Sequence, residues 1–192
     1  MKRIFLSGVA TSGKDEFALQ AIEFFKSKGL KAKRFALADN LKLDMSPFLY
    51  DSFGIDIFNC SKEDKEIVRP LLVAFGCAKR KTSQGKYWIN FIENDLRHEE
   101  IYGDSDIAII TDIRFAEYEE DEALWASETG TLIHITRIEN GAEIQPANEE
   151  ERRNDPRLSK FASIFIKIET MQKDRLYTYI HSFLDRHKQI WE

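Results

Sequence analysis

The sequence predicts an α/β fold, a three-layer arrangement in which a five-stranded parallel sheet is flanked by helices. Three observations predict it. Short apolar runs of β-forming residues alternate with stretches of helical periodicity along the chain. One run, Ile107 to Thr111, is apolar throughout, as a central parallel strand buried on both faces must be. A glycine-bearing turn at the N-terminus, GVATSGK, joins the first such run to the first helical stretch.

The elements follow in order. Arg3 to Leu6 (RIFL) reads as a buried strand ending in the turn pair SG. From Asp15 the pattern turns helical, with Phe17, Ala21, Ile22 and Phe25 on one face and Gly29 as the stop. A second strand is expected over Ala32 to Leu37. A helix carrying Leu41, Met45, Phe48 and Leu49 follows and should be broken at Pro47, with residues 51–61 as a loop. Ser61 can cap a helix from Lys62 that turns Ile67, Val68, Leu71, Leu72 and Phe75 inward; Pro70 predicts a kink there, or two abutting helices. Residues 79–86 (KRKTSQGK) read as a basic polar connection, and Trp88, Ile89, Ile92 and Leu96 as the next helix. After the central strand comes a charged helix with Leu124, Trp125 and Ala126, closed by Gly130. Its acidic approach, residues 117–122, reads most simply as a solvated helix face. Leu132 to Thr136 is a strand, residues 138–160 are polar without periodicity, and Ser163 to Ile168 is the last strand. The final helix should bury Leu176, Ile180, Phe183, Leu184 and Trp191.

At 192 residues the chain is expected to form one domain with a sizeable core. Hydrophobic residues are 43% and charged residues 32%, with only 9 Gly and 4 Pro, which excludes collagenous and low-complexity classes. No apolar run approaches the roughly 18 residues of a membrane span, so no membrane partner is expected. The net charge of -5 argues against a generic basic face for a nucleic acid polymer. Two cysteines, Cys60 and Cys77, make neither a zinc site nor a disulfide framework, which suits a reducing cytoplasm. His98, His134, His181 and His187 show no metal-ligand spacing.

The strongest chemical signal is Gly8-Val9-Ala10-Thr11-Ser12-Gly13-Lys14-Asp15, which fits the phosphate-binding loop G-x-x-x-x-G-K with Asp in place of Ser or Thr. In such a loop backbone N–H groups and the following helix N-terminus point at phosphate oxygens, and the lysine reaches the β- and γ-phosphates. The residue after the lysine lies where Mg2+ binds, and a carboxylate is a good hard-oxygen ligand for it, so Asp15 is the metal candidate. The setting, strand then loop then helix, is the required one. A second signal is Asp112-Ile113-Arg114-Phe115 at the carboxyl end of the central strand, where open α/β sheets bind ligands. An acid and an arginine two apart suit an anionic acceptor, and a surface ion pair is the plainer alternative. Arg69 reads equally as an exposed helix arginine, and Trp88 as a core residue. Arg152 and Arg153 fit a closing lid or a solvated loop.

These stretches together resemble bacteriophage-type deoxynucleoside monophosphate kinases. MKRIFLSGVATSGKDEFA is similar to the family's N-terminus, FALADNLK at 35–42 to its second strand and monophosphate-binding helix, and VRPLLVAFG at 68–76 with YWINF at 87–91 to its Arg-bearing and Trp-bearing helices. IITDIRF at 109–115 and TGTLIHITR at 129–137 resemble its D-x-R-F and I-H-x-x-R segments. The likeness runs in order over most of residues 1–137 and fades in the lid. The chain departs from the pattern at Thr11, where a basic residue is common, at Glu16, and at Ala116-Glu117-Tyr118. Animal-type phosphomevalonate kinases look similar too.

The resemblance implies a P-loop kinase fold over residues 1–192, with a monophosphate-binding region at about 38–98 and a lid-like segment at about 138–160. It implies ATP and Mg2+ at Gly8, Ala10, Thr11, Ser12, Gly13, Lys14, Asp15 and Glu16. Lys42, Arg69, Gly76, Trp88, Asp112 and Arg114 would surround the acceptor, and Lys14, Arg114 and Arg137 would be catalytic. The expected reaction moves the γ-phosphate of ATP to a deoxynucleoside monophosphate; the alternatives are a phosphomevalonate kinase-like enzyme and a non-catalytic nucleotide-binding module. Small-molecule nucleotides are the expected partners, in the cytoplasm (a host's, if the chain is phage-encoded), with a homodimer left open.

Overall fold

The computed structural model describes residues 1–192, and its sheet lies between two layers of helices. The elements in chain order are β1 (Lys2–Ser7), α1 (Lys14–Ser27), β2 (Ala32–Phe35), α2 (Leu37–Phe53), α3 (Lys62–Ser83) and α4 (Lys86–Tyr102). Then come β3 (Ile107–Ile113), α5 (Glu122–Thr129), β4 (Thr131–Glu139), β5 (Ala142–Glu143), α6 (Glu149–Phe161), β6 (Ile164–Glu169) and α7 (Lys173–Arg186). Five strands pair in parallel in the order β2-β3-β1-β4-β6. The two-residue β5 turns back antiparallel onto the end of β4. The sheet is therefore mixed and six-stranded, not the five-stranded parallel sheet the sequence suggests. The cause is local: β4 runs on to Glu139, past the end of β1, and Asn140-Gly141, both at positive φ, fold the chain back onto its free edge.

Alternation along each strand sorts the core into two halves. Ile4, Leu6, Ile107, Ile109, Ile133 and Ile135 pack with α1 and α7, while Phe5, Ala108, Ile110 and Leu132 pack with Trp88, Ile92 and Leu96 of α4. Both faces are dry, which is why β3 is apolar from Ile107 to Ile110 and buried along its whole length. A smaller cluster of Met45, Leu49, Ile55, Ile57 and Val68 joins α2 to α3.

The two breaks expected at Pro47 and Pro70 do not occur, and a third proline also sits within a helix. Pro47, Pro70 and Pro156 lie inside α2, α3 and α6, which stay continuous. Each proline is on the solvent side, and the carbonyl it frees four residues back, on Leu43, Glu66 or Arg152, belongs to an exposed residue that water can serve. The polar connection at 79–86 is likewise absent: α3 runs to Ser83, and Gln84-Gly85 alone turns the chain into α4. Ile67 and Leu71 face solvent, and α3 packs through Val68, Leu72 and Phe75. Ser61 caps α3 as expected, accepting from Asp64 N at 3.0 Å. The aperiodic stretch 138–160 holds β5 and the helix α6, whose buried residues are just Asn154 and Leu158. No helix is long and apolar enough to cross a membrane.

Candidate functional site

The glycine-rich turn between β1 and α1 sits at the carboxyl ends of the parallel strands. Gly8, Thr11 and Gly13 all have positive φ, which curls the backbone into a concave loop. Gly8 is required there, because a Cβ at φ +133° would collide with the carbonyl of Ile135 and crowd Ser12 Oγ. Gly13 caps α1 without any side-chain cap, so the positive end of the helix faces the loop. Lys14 curls back: its Nζ donates to Gly8 O and Val9 O at 2.7 Å each and to Ser12 Oγ at 3.3 Å. Burial, and then the nearby Arg114 charge, lower the Lys14 ammonium to about 8. Ala10 N donates to Glu151 Oε1 of α6 at 3.1 Å.

Beneath the loop, Ser7 Oγ meets His134 Nδ1 at 3.1 Å, and His134 Nε2 lies 3.7 Å from Asp155 Oδ1 on α6. Burial holds His134 below the usual imidazole range and Asp155 above the usual carboxylate range. The Asp15 carboxylate is largely exposed, with Arg34 Nη2 at 3.3 Å. A carboxylate on the first turn of α1, held by one surface arginine, fits a hard divalent cation such as Mg2+.

A cleft opens beside the loop between α2, α3 and the end of β3. Ser7 pairs with Ile113 in the sheet, so Gly8 and Arg114 leave neighbouring strands at the same edge. Leu37, Leu41, Leu72, Val73 and Trp88 make the apolar wall of the cleft; Asp112, Arg114, Arg80, Glu122 and Glu150 make the polar wall. Asp112 is committed to scaffolding: its two oxygens accept from Leu37 N and Ala38 N, both at 2.8 Å, and hold the start of α2, whose N-cap Ala36 has no side chain to do so. Burial raises the Asp112 carboxyl, against the pull of Arg114. The Arg114 side chain is exposed into the cleft, while its backbone N donates to Glu122 Oε2 at 2.8 Å.

The inner wall rests on Arg80. Its guanidinium lies 3.4 Å from the Phe115 ring centroid, Nη2 donates to Asp121 at 2.7 Å, and Nη1 donates to Glu117 at 3.4 Å. Nε stands 3.8 Å from Glu122 Oε1. Burial pushes Glu122 up to about 8. The acidic approach to α5 is therefore solvated only in part: Glu119 and Glu120 are exposed, whereas Asp121 and Glu122 are buried against Arg80.

Of the residues the sequence suggests for the acceptor, Gly76, Trp88, Asp112 and Arg114 line one cleft. Lys42 and Arg69 do not line it. Lys42 pairs with Asp39 at 2.7 Å, and Arg69 pairs with Glu66 on the exposed side of α3 at 3.4 Å. Arg137 reaches the loop from β4, its Nη1 3.4 Å from Thr11 O. Arg80, Phe115, Glu122, Glu150 and Glu151 are the site residues that sequence reasoning missed. The one available signal is spacing: Leu72, Gly76 and Arg80 recur every four residues on one face of α3.

No family model and no curated protein matches the sequence. Solved structures of similar shape include two kinases. One is a shikimate kinase from Acinetobacter baumannii in complex with shikimate, with a TM-score of 0.45 and 10% identity over 98% of this chain and 95% of that one. The other is a dephospho-CoA kinase from Campylobacter jejuni, with a TM-score of 0.42 and 16% identity over 98% of each chain. Likeness at this distance assigns no activity.

Proposed function

We propose that the chain is an ATP-dependent phosphotransferase that moves the γ-phosphate of ATP to the phosphate of a small acceptor, a deoxynucleoside monophosphate first among the candidates. One observation carries the reading: a G-x-x-x-x-G-K loop with three residues at positive φ opens at the same sheet edge as Arg114, beside a half-apolar cleft. Loop N–H groups and the α1 N-terminus would bind the donor phosphates. Lys14, released from Gly8 O and Val9 O, would follow charge onto the transferring group. Arg114 would hold the acceptor phosphate, and Arg137 would approach from the β4 side. Asp15 would hold Mg2+, which when bound screens charge between the β- and γ-phosphates. No nucleophilic side chain is needed, because phosphoryl transfer is governed by positioning and charge neutralisation.

This assigns residues 1–192 to one kinase domain, with the acceptor region at about 38–98 and the lid at about 138–160. The apolar wall of Leu37, Leu41, Leu72 and Val73 serves an aliphatic chain as well as a base, which keeps a phosphomevalonate-type acceptor as the second reading. 31P NMR of ATP with Mg2+ and, in turn, deoxynucleoside monophosphates, ribonucleoside monophosphates and phosphomevalonate separates these readings. A new phosphoanhydride signal on a deoxynucleotide is expected; one on phosphomevalonate alone would overturn the first choice.

A further inference from the structure

Helix α6 turns its acids, not its arginines, toward the loop. Glu150, Glu151, Asn154, Asp155 and Leu158 recur at helical spacing on the inner face. Arg152 and Arg153 point away, with side chains 63% and 62% exposed and held by Glu149 at 2.8 Å and Glu117 at 3.6 Å. Glu151 spans two structures. Its Oε2 accepts from Ala147 N at 2.9 Å and closes the start of α6, whose cap Asn148 accepts from Glu151 N. Its Oε1 accepts from Ala10 N at 3.1 Å inside the curl of the loop. A carboxylate oxygen thus takes a backbone donor of the kind that a phosphate oxygen would take. The same helix is tied down elsewhere: Asn154 Oδ1 accepts from Ala116 N at 3.1 Å, and Asp155 faces His134 at 3.7 Å.

We infer that Glu151 is an internal competitor for the donor loop, a carboxylate latch that holds α6 over the loop and that the phosphates of the nucleotide must displace. This rests on the donor-loop reading above. The latch has a direct thermodynamic consequence. A ligand that must expel an internal contact binds more weakly by the factor that contact contributes to the closed form. A charge-assisted hydrogen bond of ordinary strength corresponds to about tenfold.

The test is equilibrium titration of ATP with Mg2+ against the wild type, Glu151→Ala, Glu151→Asp and Lys14→Ala. Glu151→Ala should bind ATP about tenfold more tightly. Glu151→Asp keeps the charge but is one methylene too short to span from α6 to Ala10, so it should recover most of that gain. Affinity in Glu151→Ala equal to or weaker than wild type would overturn the latch. So would a Glu151→Asp variant as weak as wild type, because the effect would then be simple charge repulsion. If the wild type binds ATP and Lys14→Ala binds it equally well, the donor-loop reading fails instead. If no form binds ATP, both fail.

Discussion

Replacing Arg80 with Met keeps most of the side-chain volume and removes the charge that three carboxylates share. Arg80 is 4% exposed, and Asp121 and Glu122 beside it are 1% and 3% exposed. Breaking a buried ion pair by removing one partner generally costs about 3–5 kcal/mol, because the other charge stays buried. Loss of the guanidinium from the face of Phe115 adds about 1 kcal/mol. Two features soften the loss. Asp121 Oδ2 still accepts from Glu117 N at 2.8 Å, and Glu122, already pushed up to about 8, can take a proton. The net expectation is about 3–4 kcal/mol, a large share of the roughly 5–15 kcal/mol that holds a typical domain folded. With a urea slope of about 2 kcal/mol/M, the denaturation midpoint should fall by about 1.5–2 M. Arg80→Lys, which can still reach Asp121 but cannot stack, should fall in between. A midpoint shift below about 0.3 M for Arg80→Met would show that Arg80 and its carboxylates do not hold the inner wall of the cleft.

Three further outcomes follow from the same geometry. Lys14→Ala should lower the turnover rate by at least about 10²–10³ while far-UV circular dichroism stays native, since the loop backbone is set by Gly8, Thr11 and Gly13; near-normal kcat would remove Lys14 from the reaction. Arg114→Lys should raise KM for the acceptor and lower kcat while ATP affinity changes far less, because a lysine cannot bind phosphate bidentately; ATP binding that collapses with acceptor binding intact would move Arg114 to the donor side. Glu122 has a folded-state pKa raised from 4.5 to about 8, so its stabilising contribution is complete below 4.5 and is lost as pH rises through about 8. Urea midpoints of wild type and Glu122→Gln should therefore diverge in favour of the Gln variant between pH 6 and pH 9; a constant difference would show that Glu122 is ionised throughout.

What the sequence made legible is what is contiguous. The loop 8–15 carries its strand, glycines, lysine and acid in one stretch, and Ile107 to Thr111 announces its burial residue by residue. Trp88, Ile89, Ile92 and Leu96 fall at helical spacing and are buried as expected. The inner wall was illegible because its charges neutralise one another across a gap of 41 residues, from Arg80 to Asp121. Each partner alone looks like a solvated surface residue. Helix α6 was missed for a related reason. Asn154 and Leu158 are its buried positions, too few to make a period, and its hold on the rest of the chain is polar. The prolines misled in the opposite direction, since whether a proline breaks a helix depends on which side it faces, and that is a tertiary fact.

Transfer from ATP to a phosphorylated small acceptor makes ADP release depend on the acceptor. Initial rates are measured with ATP and Mg2+ alone and then with rising concentrations of each deoxynucleoside monophosphate, for the wild type and for Lys14→Ala. Negligible ADP is expected without an acceptor, saturable ADP formation with at least one monophosphate, and loss of that rate in the variant. ADP formation that is the same with and without any acceptor, or ATP binding with no turnover on any phosphorylated acceptor, would contradict such transfer.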